Sequence, residues 1–235
     1  MVLSVVGFRC IGPRELYNRP PVHLGLVSGG CLARQVPFLL GLTGNIACGK
    51  SAVGQLLAER YGADYVDADR LVHGLYAADT PETRAIADRF GQNLLRAEDG
   101  TIDRRRLGDV VLSDSNALRD LERILDPGVR RAIADRIACT QAPVVVLDAI
   151  RLIEAGTAAR CDAVWVVVCD RDAQMQRLQA SRGLSADQAA LRIAAQRPAE
   201  EKIRHATAVL TNHGTLEDLA HQVEAAWNRT VQPYL

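Results

Sequence analysis

The sequence predicts an α/β fold in which a parallel β-sheet is flanked by helices. Short apolar runs alternate along the chain with longer stretches of helical periodicity. Two of the runs, PVVVLD at 143–148 and AVWVVVC at 163–169, are apolar almost throughout, which is typical of strands buried on both faces of a parallel sheet. The chain has 235 residues, 48% of them apolar, so it is long enough to bury a sizeable core.

Five strands and several helices are predicted in chain order from these patterns. The predicted strands are 38–42, 63–67, 143–148, 163–169 and 208–210, the last being the weakest. The predicted helices are 51–60, 172–180, 185–196 and 215–228, together with a wholly helical stretch from about 71 to 140. In the first helix, Val53, Leu56 and Leu57 share one face. Within the long stretch, Asp126-Pro127 predicts a break, because the residue before a proline disfavours helical backbone.

Residues 1–37 differ from the rest of the chain. They are rich in Gly, Pro and Arg and lack steady periodicity, so we expect a poorly ordered N-terminal extension. A misassigned start, with translation beginning at a later valine codon such as that of Val27 or Val36, is the alternative. In either case one folded domain is expected to span 38–235.

Charge and cysteine content argue against several classes of protein. The chain carries 28 basic and 28 acidic residues, so it lacks the basic excess of a general nucleic-acid binder. No apolar run reaches the roughly 18 residues that a membrane span requires. The six cysteines form no CxxC pair, which argues against a cysteine metal site, and several of them lie inside apolar runs, which favours reduced core thiols in a cytoplasmic protein.

A phosphate-binding loop is the most specific motif in the sequence. GNIACGKS at 44–51 matches GxxxxGK[ST], and it lies between a predicted strand and a predicted helix. Glycines let the backbone approach phosphate oxygens, and the amides of a helix N-terminus attract their negative charge. We expect Lys50 to contact the β and γ phosphates and the Ser51 hydroxyl to ligate Mg²⁺. Only Lys50 and Lys202 among the 28 basic residues are lysines, so a lysine at this position indicates a chemical requirement.

The loop also has plainer interpretations. A Gly-rich turn before a helix is the structural alternative to phosphate binding. Cys48 lies inside the loop, near a helix N-terminus that can depress a thiol pKa. Redox control is one hypothesis for this cysteine, and a small residue that simply fits the loop is the other.

Carboxylates follow two predicted strands, at the sheet edge where ligands bind in open α/β folds. Asp67 and Asp69 either supply a base for an acceptor hydroxyl or cap the following helix. Asp148 follows four apolar residues, as in a Walker B strand, where the carboxylate lies near Mg²⁺. A strand-end Asp without that role is the alternative. Glu154 is expected to face the acceptor from the first turns of a helix.

Three groups of arginines are candidates for phosphate binding. They are the run 104–106, the single Arg151, and the set Arg171, Arg177 and Arg182. The run either binds a phosphate-rich acceptor or forms a solvated helix face. Arg151 lies between two carboxylates and has the geometry for bidentate phosphate binding. The last set surrounds the helix after the fourth strand, where a lid closes over ATP in small-molecule kinases. Arginines in such a lid would neutralise the charge of the transferring phosphoryl group.

Five stretches together resemble the dephospho-CoA kinase family. They are LTGNIACGKS (42–51), VDAD (66–69), RFGQNLLRAEDGTIDRRRL (89–107), RIAAQRPAEEK (192–202) and VLTNHGTLEDL (209–219). The resemblance implies a P-loop NTPase fold of the nucleoside-monophosphate-kinase type, with a five-stranded parallel sheet. It also implies a helical acceptor-binding insertion at about 71–140 and a lid at about 171–200. The reaction it implies uses ATP with Mg²⁺ to phosphorylate the ribose 3′-hydroxyl of dephospho-CoA, giving coenzyme A and ADP.

The resemblance also assigns roles to single residues. Asp67 and Asp69 match the family's paired aspartates, where a catalytic base is expected, and either of the two fits. Arg182 matches a lid arginine, and Asn212 matches an asparagine near the adenine ring. The nucleotide contacts expected in and after the loop are Gly44, Asn45, Ile46, Ala47, Cys48, Gly49, Lys50, Ser51 and Ala52.

Three departures from the family's usual pattern keep alternatives open. Asp126 replaces a usual histidine, Arg151 falls in a segment that is usually Pro-Leu-Leu, and Thr207 replaces an aspartate. A related P-loop kinase with a different hydroxyl acceptor is therefore the first alternative. A non-catalytic nucleotide-binding protein is the second, although intact Lys50 and Ser51 oppose it. We expect a monomer or weak homo-oligomer with no nucleic-acid or membrane partner.

Overall fold

A five-stranded parallel sheet forms the centre of the computed structural model, which describes residues 36–112 and 114–235. The predictions made for residues 1–35 lie outside this range. The strands are β1 (Phe38–Gly44), β2 (Asp64–Asp67), β3 (Val144–Asp148), β4 (Ala163–Val168) and β5 (Ala208–Thr211). Their order in the sheet is β2-β3-β1-β4-β5, and every pairing is parallel. The predicted fold class is therefore confirmed.

Helices fill the segments in which helical periodicity predicted them, and one further short helix, Ala199–Ile203, was not predicted. They are α1 (Lys50–Tyr61), α2 (Ala68–Gly74), α3 (Pro81–Phe90), α4 (Arg104–Leu112), α5 (Ser115–Cys139), α6 (Arg171–Arg182), α7 (Ala186–Ala194), α8 (Ala199–Ile203) and α9 (Leu216–Thr230). Short 3₁₀ turns occupy Gln92–Leu94, Thr157–Arg160 and Gln232–Tyr234. Between α3 and α4, Leu95 and Ile102 form an isolated antiparallel bridge, which helical periodicity alone does not predict. No described helix has the combined length and apolarity that a membrane crossing requires.

The strand order places the phosphate loop at a switch point of the sheet. The chain crosses from β1 to β2 on one side and later returns to β4 on the other, so the carboxyl end of β1 opens into a crevice between its neighbours. Asp67 pairs in register with Asp148, and Leu42 pairs with Asp148 from the other side. The predicted carboxylates and the predicted loop therefore meet at one edge.

Both faces of the sheet are covered, which explains why β1, β3 and β4 are apolar runs. On one face, α1 and α9 pack on alternate strand residues, including fully buried Trp165. The Trp165 indole donates a hydrogen bond to Thr230 Oγ1 at 3.0 Å. Ile133 and Ile137 of α5 cover the other face. A separate core inside the helical region holds α2 to α5 together.

The break predicted at Asp126-Pro127 is wrong, because α5 runs through Pro127 as one helix of 25 residues. A proline inside a helix removes one backbone hydrogen bond. Leu121 and Leu125 before it and Val129 after it are buried in the helical core. Packing on both sides thus holds the helix across the proline.

The helix expected after Asp148 is also absent, since residues 150–156 form turns that lead into the 3₁₀ segment. Leu152 is fully buried within these turns. Gly156, with φ of +71°, adopts the left-handed conformation before the 3₁₀ segment begins. Burial of one apolar side chain and a glycine turn therefore outweigh the local helical pattern.

Candidate active site

The phosphate loop requires glycine at two positions. Gly49 has φ of +96°, and a Cβ there would lie 2.1 Å from Nδ2 of Asn212. A Cβ on Gly44 would lie 2.2 Å from the Val167 carbonyl oxygen. Both contacts are shorter than any side chain tolerates, so the loop follows this path only with glycine. The loop motif thus has the strand-loop-helix context that its interpretation requires.

Side chains from outside the loop fix three consecutive peptide groups within it. The hydrogen bonds are Gln174 Nε2 to Ile46 O at 2.8 Å, Arg177 Nη1 to Ala47 O at 3.2 Å, and Asn212 Nδ2 to Cys48 O at 2.9 Å. The donors come from α6 and from the turn after β5. Because these carbonyls are held outward, the loop keeps one shape before any phosphate arrives. Gln174 carries no motif in the sequence, so this role was not predicted.

The segment after α7, which belongs to the predicted lid, also contacts the first half of the loop. Gln196 Oε1 accepts a hydrogen bond from the Ile46 amide at 2.7 Å, and Asn45 Nδ2 donates to the Arg197 carbonyl at 3.1 Å. The segment after α7 therefore touches the loop directly. Any nucleotide that uses the Ile46 amide has to replace the Gln196 contact.

Asn212 and Arg177 lie against the loop backbone. Asn212 is largely buried, with its side-chain amide on the Cys48 carbonyl. Arg177 Nη2 donates to the Asn212 carbonyl at 3.1 Å, in addition to its bond to the loop. The guanidinium of Arg177 thus links α6, the loop and β5. Adenine contact by Asn212 stays a prediction.

Lys50 lies at the first position of α1, where its side chain is largely buried. Its positive charge lowers the pKa of Asp148 and of Asp69, opposing the larger effect of burial at both carboxyls. The lysine therefore faces the same space as the two acids. A cation in that position suits the phosphates of a bound nucleotide.

Asp67 caps α2, as its structural interpretation predicted. Its Oδ1 accepts hydrogen bonds from the amides of Asp69 at 2.9 Å and Arg70 at 3.2 Å. Asp67 also lies beside Asp148 through the β2–β3 register. Asp67 therefore both caps α2 and lies next to the carboxylate of β3.

Asp69 has the pKa that a base near neutrality needs. Burial, together with the negative charges of Asp67 and Asp148, raises the pKa of its carboxyl to about 6. Lys50 and Arg182 act in the opposite direction. Asp69 therefore responds to charges from β2, β3, α1 and α6, which shows that all four converge on one space.

Asp148 is almost fully buried, and burial raises its carboxyl pKa above the ordinary value. The hydroxyl of Tyr65 donates a hydrogen bond to Asp148 Oδ2 at 2.7 Å. Tyr65 was not predicted as a site residue. The sequence signal was its position two residues before Asp67, which places both on the same face of β2.

Oxygen atoms of Ser51 and Asp148 are the donors expected for Mg²⁺. Within residues 36–112 and 114–235, no group of three or more His, Cys, Asp or Glu side chains is arranged to hold a metal ion by itself. Mg²⁺ usually binds to one or two protein oxygens together with nucleotide phosphates. The donor set therefore fits a Mg²⁺ ion that arrives with ATP.

Two cysteines meet behind the loop. A hydrogen bond from Cys169 lowers the pKa of the Cys48 thiol to about 7, against the opposing effect of burial. Gln174 Nε2 lies 3.5 Å from the Cys48 sulfur. The described cysteines are all unpaired; Cys48 is buried, whereas Cys139 is exposed.

Two residues that depart from the family pattern, Arg151 and Asp126, form ion pairs, as does the neighbouring Glu154. Arg151 Nη1 bonds to Glu122 Oε1 at 2.9 Å, and Asp126 pairs with Arg130 at 2.6 Å. Glu154 pairs with Lys202, whose Nζ lies 2.7 Å from Glu154 Oε1. Glu154 thus forms an ion pair with a buried lysine through Oε1, and its acceptor-facing role stays a prediction.

The remaining arginines have mixed placements. Arg106 donates to the Asn93 carbonyl at 3.0 Å, and the run 104–106 is exposed at the start of α4. Arg104 lies close enough to His73 to lower its pKa, although burial is the larger cause. Arg182 ends α6 and is exposed, and its charge reaches Asp69.

A small cavity lies next to Asp69. Its walls come from β3, α2, α5 and the turns after β3. The residues that line it include Asp69, Val72, Val129, Ala149 and Arg151. An acceptor reaching Asp69 from the helical region would enter beside these residues.

Comparison with known proteins gives one consistent result. The family model described as Dephospho-CoA kinase matches residues 38–218. Dephospho-CoA kinase of Geobacter sulfurreducens is 43% identical over 192 residues, covering 80% of this chain and 96% of the relative. The corresponding protein of Geobacter metallireducens is 42% identical over 198 residues, covering 83% and 98%.

Solved structures show the same similarity. The crystal structure of TT1252 from Thermus thermophilus has a TM-score of 0.69 at 33% identity, covering 83% of this chain and 98% of the other. Dephospho-CoA kinase from Campylobacter jejuni has a TM-score of 0.60 at 23% identity, covering 84% and 98%, which shows a shared fold.

Proposed function

This chain belongs to the dephospho-CoA kinase family, and we propose that the site described above carries out that family's reaction with the residues assigned below. The reaction is the ATP-dependent phosphorylation of dephospho-CoA to coenzyme A, with release of ADP. The observation that carries the assignment is the convergence of Lys50, Asp69 and Asp148 at the carboxyl edge of the sheet, beside a loop shaped for phosphates. The expected acceptor atom is the ribose 3′-hydroxyl.

Asp69 is the general base in this proposal. The Asp67 carboxylate already accepts two amide hydrogen bonds as the cap of α2, whereas no residue in the described part of the chain donates one to the Asp69 carboxylate. The raised pKa of Asp69 lets it take a proton from a hydroxyl near neutral pH. Asp67 has a different role, because its charge raises the Asp69 pKa and its carboxylate caps the first turn of α2.

The nucleotide binds along the loop from Gly44 to Ala52, with its β and γ phosphates next to Lys50. Ser51 and Asp148 hold Mg²⁺, which when bound neutralises phosphate charge and fixes the geometry of the γ-phosphoryl group. Asn212 and Arg177 keep the loop in shape from outside. Adenine contact by Asn212 belongs to this proposal as well.

The lid is the segment 171–200, formed by α6 and α7. Arg182 projects from the end of α6, close enough for its charge to act on Asp69. We assign it the stabilisation of charge on the transferring phosphoryl group. Lid closure would also remove water, which otherwise competes with the acceptor hydroxyl.

The helical region from about 71 to 140 binds the acceptor in this proposal, and the cavity beside Asp69 lies at its boundary with the sheet. We further propose a cytoplasmic enzyme that is a monomer or a weak homo-oligomer and has no nucleic-acid partner. Size-exclusion chromatography with light scattering over a range of concentrations tests the oligomeric state.

A kinase with another hydroxyl acceptor remains the competing hypothesis, since Asp126 and Arg151 depart from the family pattern. Both are held in ion pairs at the acceptor side, Asp126 with Arg130 and Arg151 with Glu122. Coupled ADP release measured with dephospho-CoA, adenosine and a set of sugar alcohols separates the two. We expect kcat/KM to be highest for dephospho-CoA. A higher value for any other acceptor would replace the proposed substrate.

A further inference from the structure

Tyr65 connects the two side chains that are assigned to Mg²⁺. From β2, its hydroxyl donates a hydrogen bond to Asp148 Oδ2 at 2.7 Å. The Ser51 side chain interacts with the same phenol as a hydrogen-bond partner, an interaction that lowers the Tyr65 pKa against the larger effects of burial and of Asp148. One phenol therefore lies between the serine of the loop and the aspartate of β3.

The position of Tyr65 is fixed by packing. A Cβ on Gly54 would lie 2.1 Å from Cε2 of the Tyr65 ring, so the glycine leaves room for the ring against α1. Ser51 lies three residues before Gly54, on the same face of the helix. The ring thus rests on α1 at Gly54, and its hydroxyl reaches the first turn where Ser51 stands.

This arrangement has a chemical consequence for metal binding. A serine that ligates a cation must turn its hydrogen away from the cation, and it binds best when a fixed acceptor takes that hydrogen. The Tyr65 oxygen can accept from Ser51 while the Tyr65 hydrogen goes to Asp148 Oδ2. The second carboxylate oxygen of Asp148 is then left for the metal or for a water molecule bound to it.

We propose that Tyr65 is a positioning residue that orients Ser51 and Asp148 for Mg²⁺. The proposal rests on the proposed function only in taking these two residues as the Mg²⁺ ligands, and it does not depend on the identity of the acceptor. Tyr65 itself touches neither the metal nor the substrate. Its effect is expected on Mg²⁺ affinity and on the coupling between Mg²⁺ and nucleotide.

The test is the variant Tyr65→Phe, which keeps the ring and removes the hydroxyl. ADP binding is measured by calorimetry without Mg²⁺ and over a Mg²⁺ titration. We expect ADP affinity without Mg²⁺ to equal that of the unmodified protein, and Mg²⁺ affinity of the ADP complex to fall about tenfold, the scale of a lost partner to a metal ligand. In turnover assays the defect should shrink as Mg²⁺ is raised.

Tyr61→Phe is the matched control. Tyr61 lies at the far end of α1 and stacks on Trp227, with ring centroids 4.3 Å apart. Loss of its hydroxyl should leave the Mg²⁺ titration unchanged. Gly54→Ala is a second variant, because it displaces the Tyr65 ring while retaining the hydroxyl, and it should also weaken Mg²⁺ binding.

Two results would overturn the proposal. One is a Tyr65→Phe protein with the melting temperature and the Mg²⁺ titration of the unmodified protein. The other is tighter Mg²⁺ binding in that variant, which would mean that the hydroxyl obstructs the metal. Both are read from ADP binding alone, so a failure to phosphorylate dephospho-CoA would count against the proposed function and leave this test unaffected.

Discussion

Lys50 and Lys202 are the two lysines of a chain whose other basic residues are arginines, and both are largely buried near the site. Lys202 donates to the Ile150 carbonyl at 2.5 Å as well as to Glu154, so it holds the turn after β3 against α8. Lys50 faces the acids of the site. A compact ammonium fits both confined positions better than a planar guanidinium.

Replacing Lys50 with alanine should lower kcat about 10²- to 10³-fold, because a fixed positive charge is lost where phosphate charge is stabilised. Steady-state kinetics with ATP and dephospho-CoA measure the effect. Arg60→Ala is the control, since Arg60 is exposed in the last turn of the same helix. Near-normal turnover by the Lys50 variant would remove its assigned role.

The raised pKa of Asp69 predicts the pH dependence of the reaction. A base must be deprotonated to act, so kcat/KM should rise through about pH 6 and level off above it. Asp69→Asn should abolish most of the activity. Asp67→Asn should retain measurable activity, and its kcat/KM should still rise with pH on the acidic side of the profile. If the rise of kcat/KM with pH persisted in the Asp69 variant and vanished in the Asp67 variant, Asp67 would be the general base.

The same pKa shift predicts an effect on stability. Because the folded-state pKa lies above the ordinary value, the proton is held more tightly in the folded protein, and stability falls as pH rises from about 4 through about 6. Asp69→Asn should therefore raise the free energy of unfolding by about 1–2 kcal/mol at pH 7.5 and by less at pH 5. Chemical denaturation at both pH values measures this.

The control for that experiment is Asp67→Ala. It removes the cap of α2, so it should lower the free energy of unfolding by about 1 kcal/mol. If Asp69→Asn were also destabilising at pH 7.5, the burial of its charge would not be the cause of the raised pKa.

Individual elements follow the sequence where the pattern is local. All five strands lie where they were predicted, and the signal is strongest in β1, β3 and β4, because strands buried on both faces need apolar side chains throughout. The turns at 150–156 and the continuity of α5 were not predictable. Both depend on burial of side chains, such as Leu152 and Leu125, by segments that are distant in sequence.

Pro127 offers a test at the level of one helix. It is exposed in the interior of α5 and removes a backbone hydrogen bond. Pro127→Ala should therefore raise the free energy of unfolding by about 1–2 kcal/mol, less than the full helix penalty of proline, because the unfolded chain also gains freedom. Asp135→Ala on the same exposed surface should change it by at most about 0.5 kcal/mol. Destabilisation by Pro127→Ala would show that the ring is part of the packing.

On the scale of the whole molecule, the site is assembled from segments far apart in the chain. The phosphate loop was predictable because its signature is contiguous, and Asp69 and Asp148 because they follow strands. The Tyr65–Asp148 contact joins residues 83 positions apart through the β2–β3 register. Gln174 likewise reaches the loop only through the packing of α6. Gln174 leaves no local pattern in the sequence, and the spacing of Tyr65 from Asp67 shows a shared strand face without showing the partner on β3.

The identity of the product is the most direct test of the central claim. The purified protein is incubated with ATP, Mg²⁺ and dephospho-CoA, and the product is examined by mass spectrometry and phosphorus NMR, with Lys50→Ala as the negative control. We predict one added phosphoryl group on the ribose 3′-oxygen, formed together with an equal amount of ADP. ADP release without phosphorylated dephospho-CoA, or a phosphoryl group at another position, would contradict the claim.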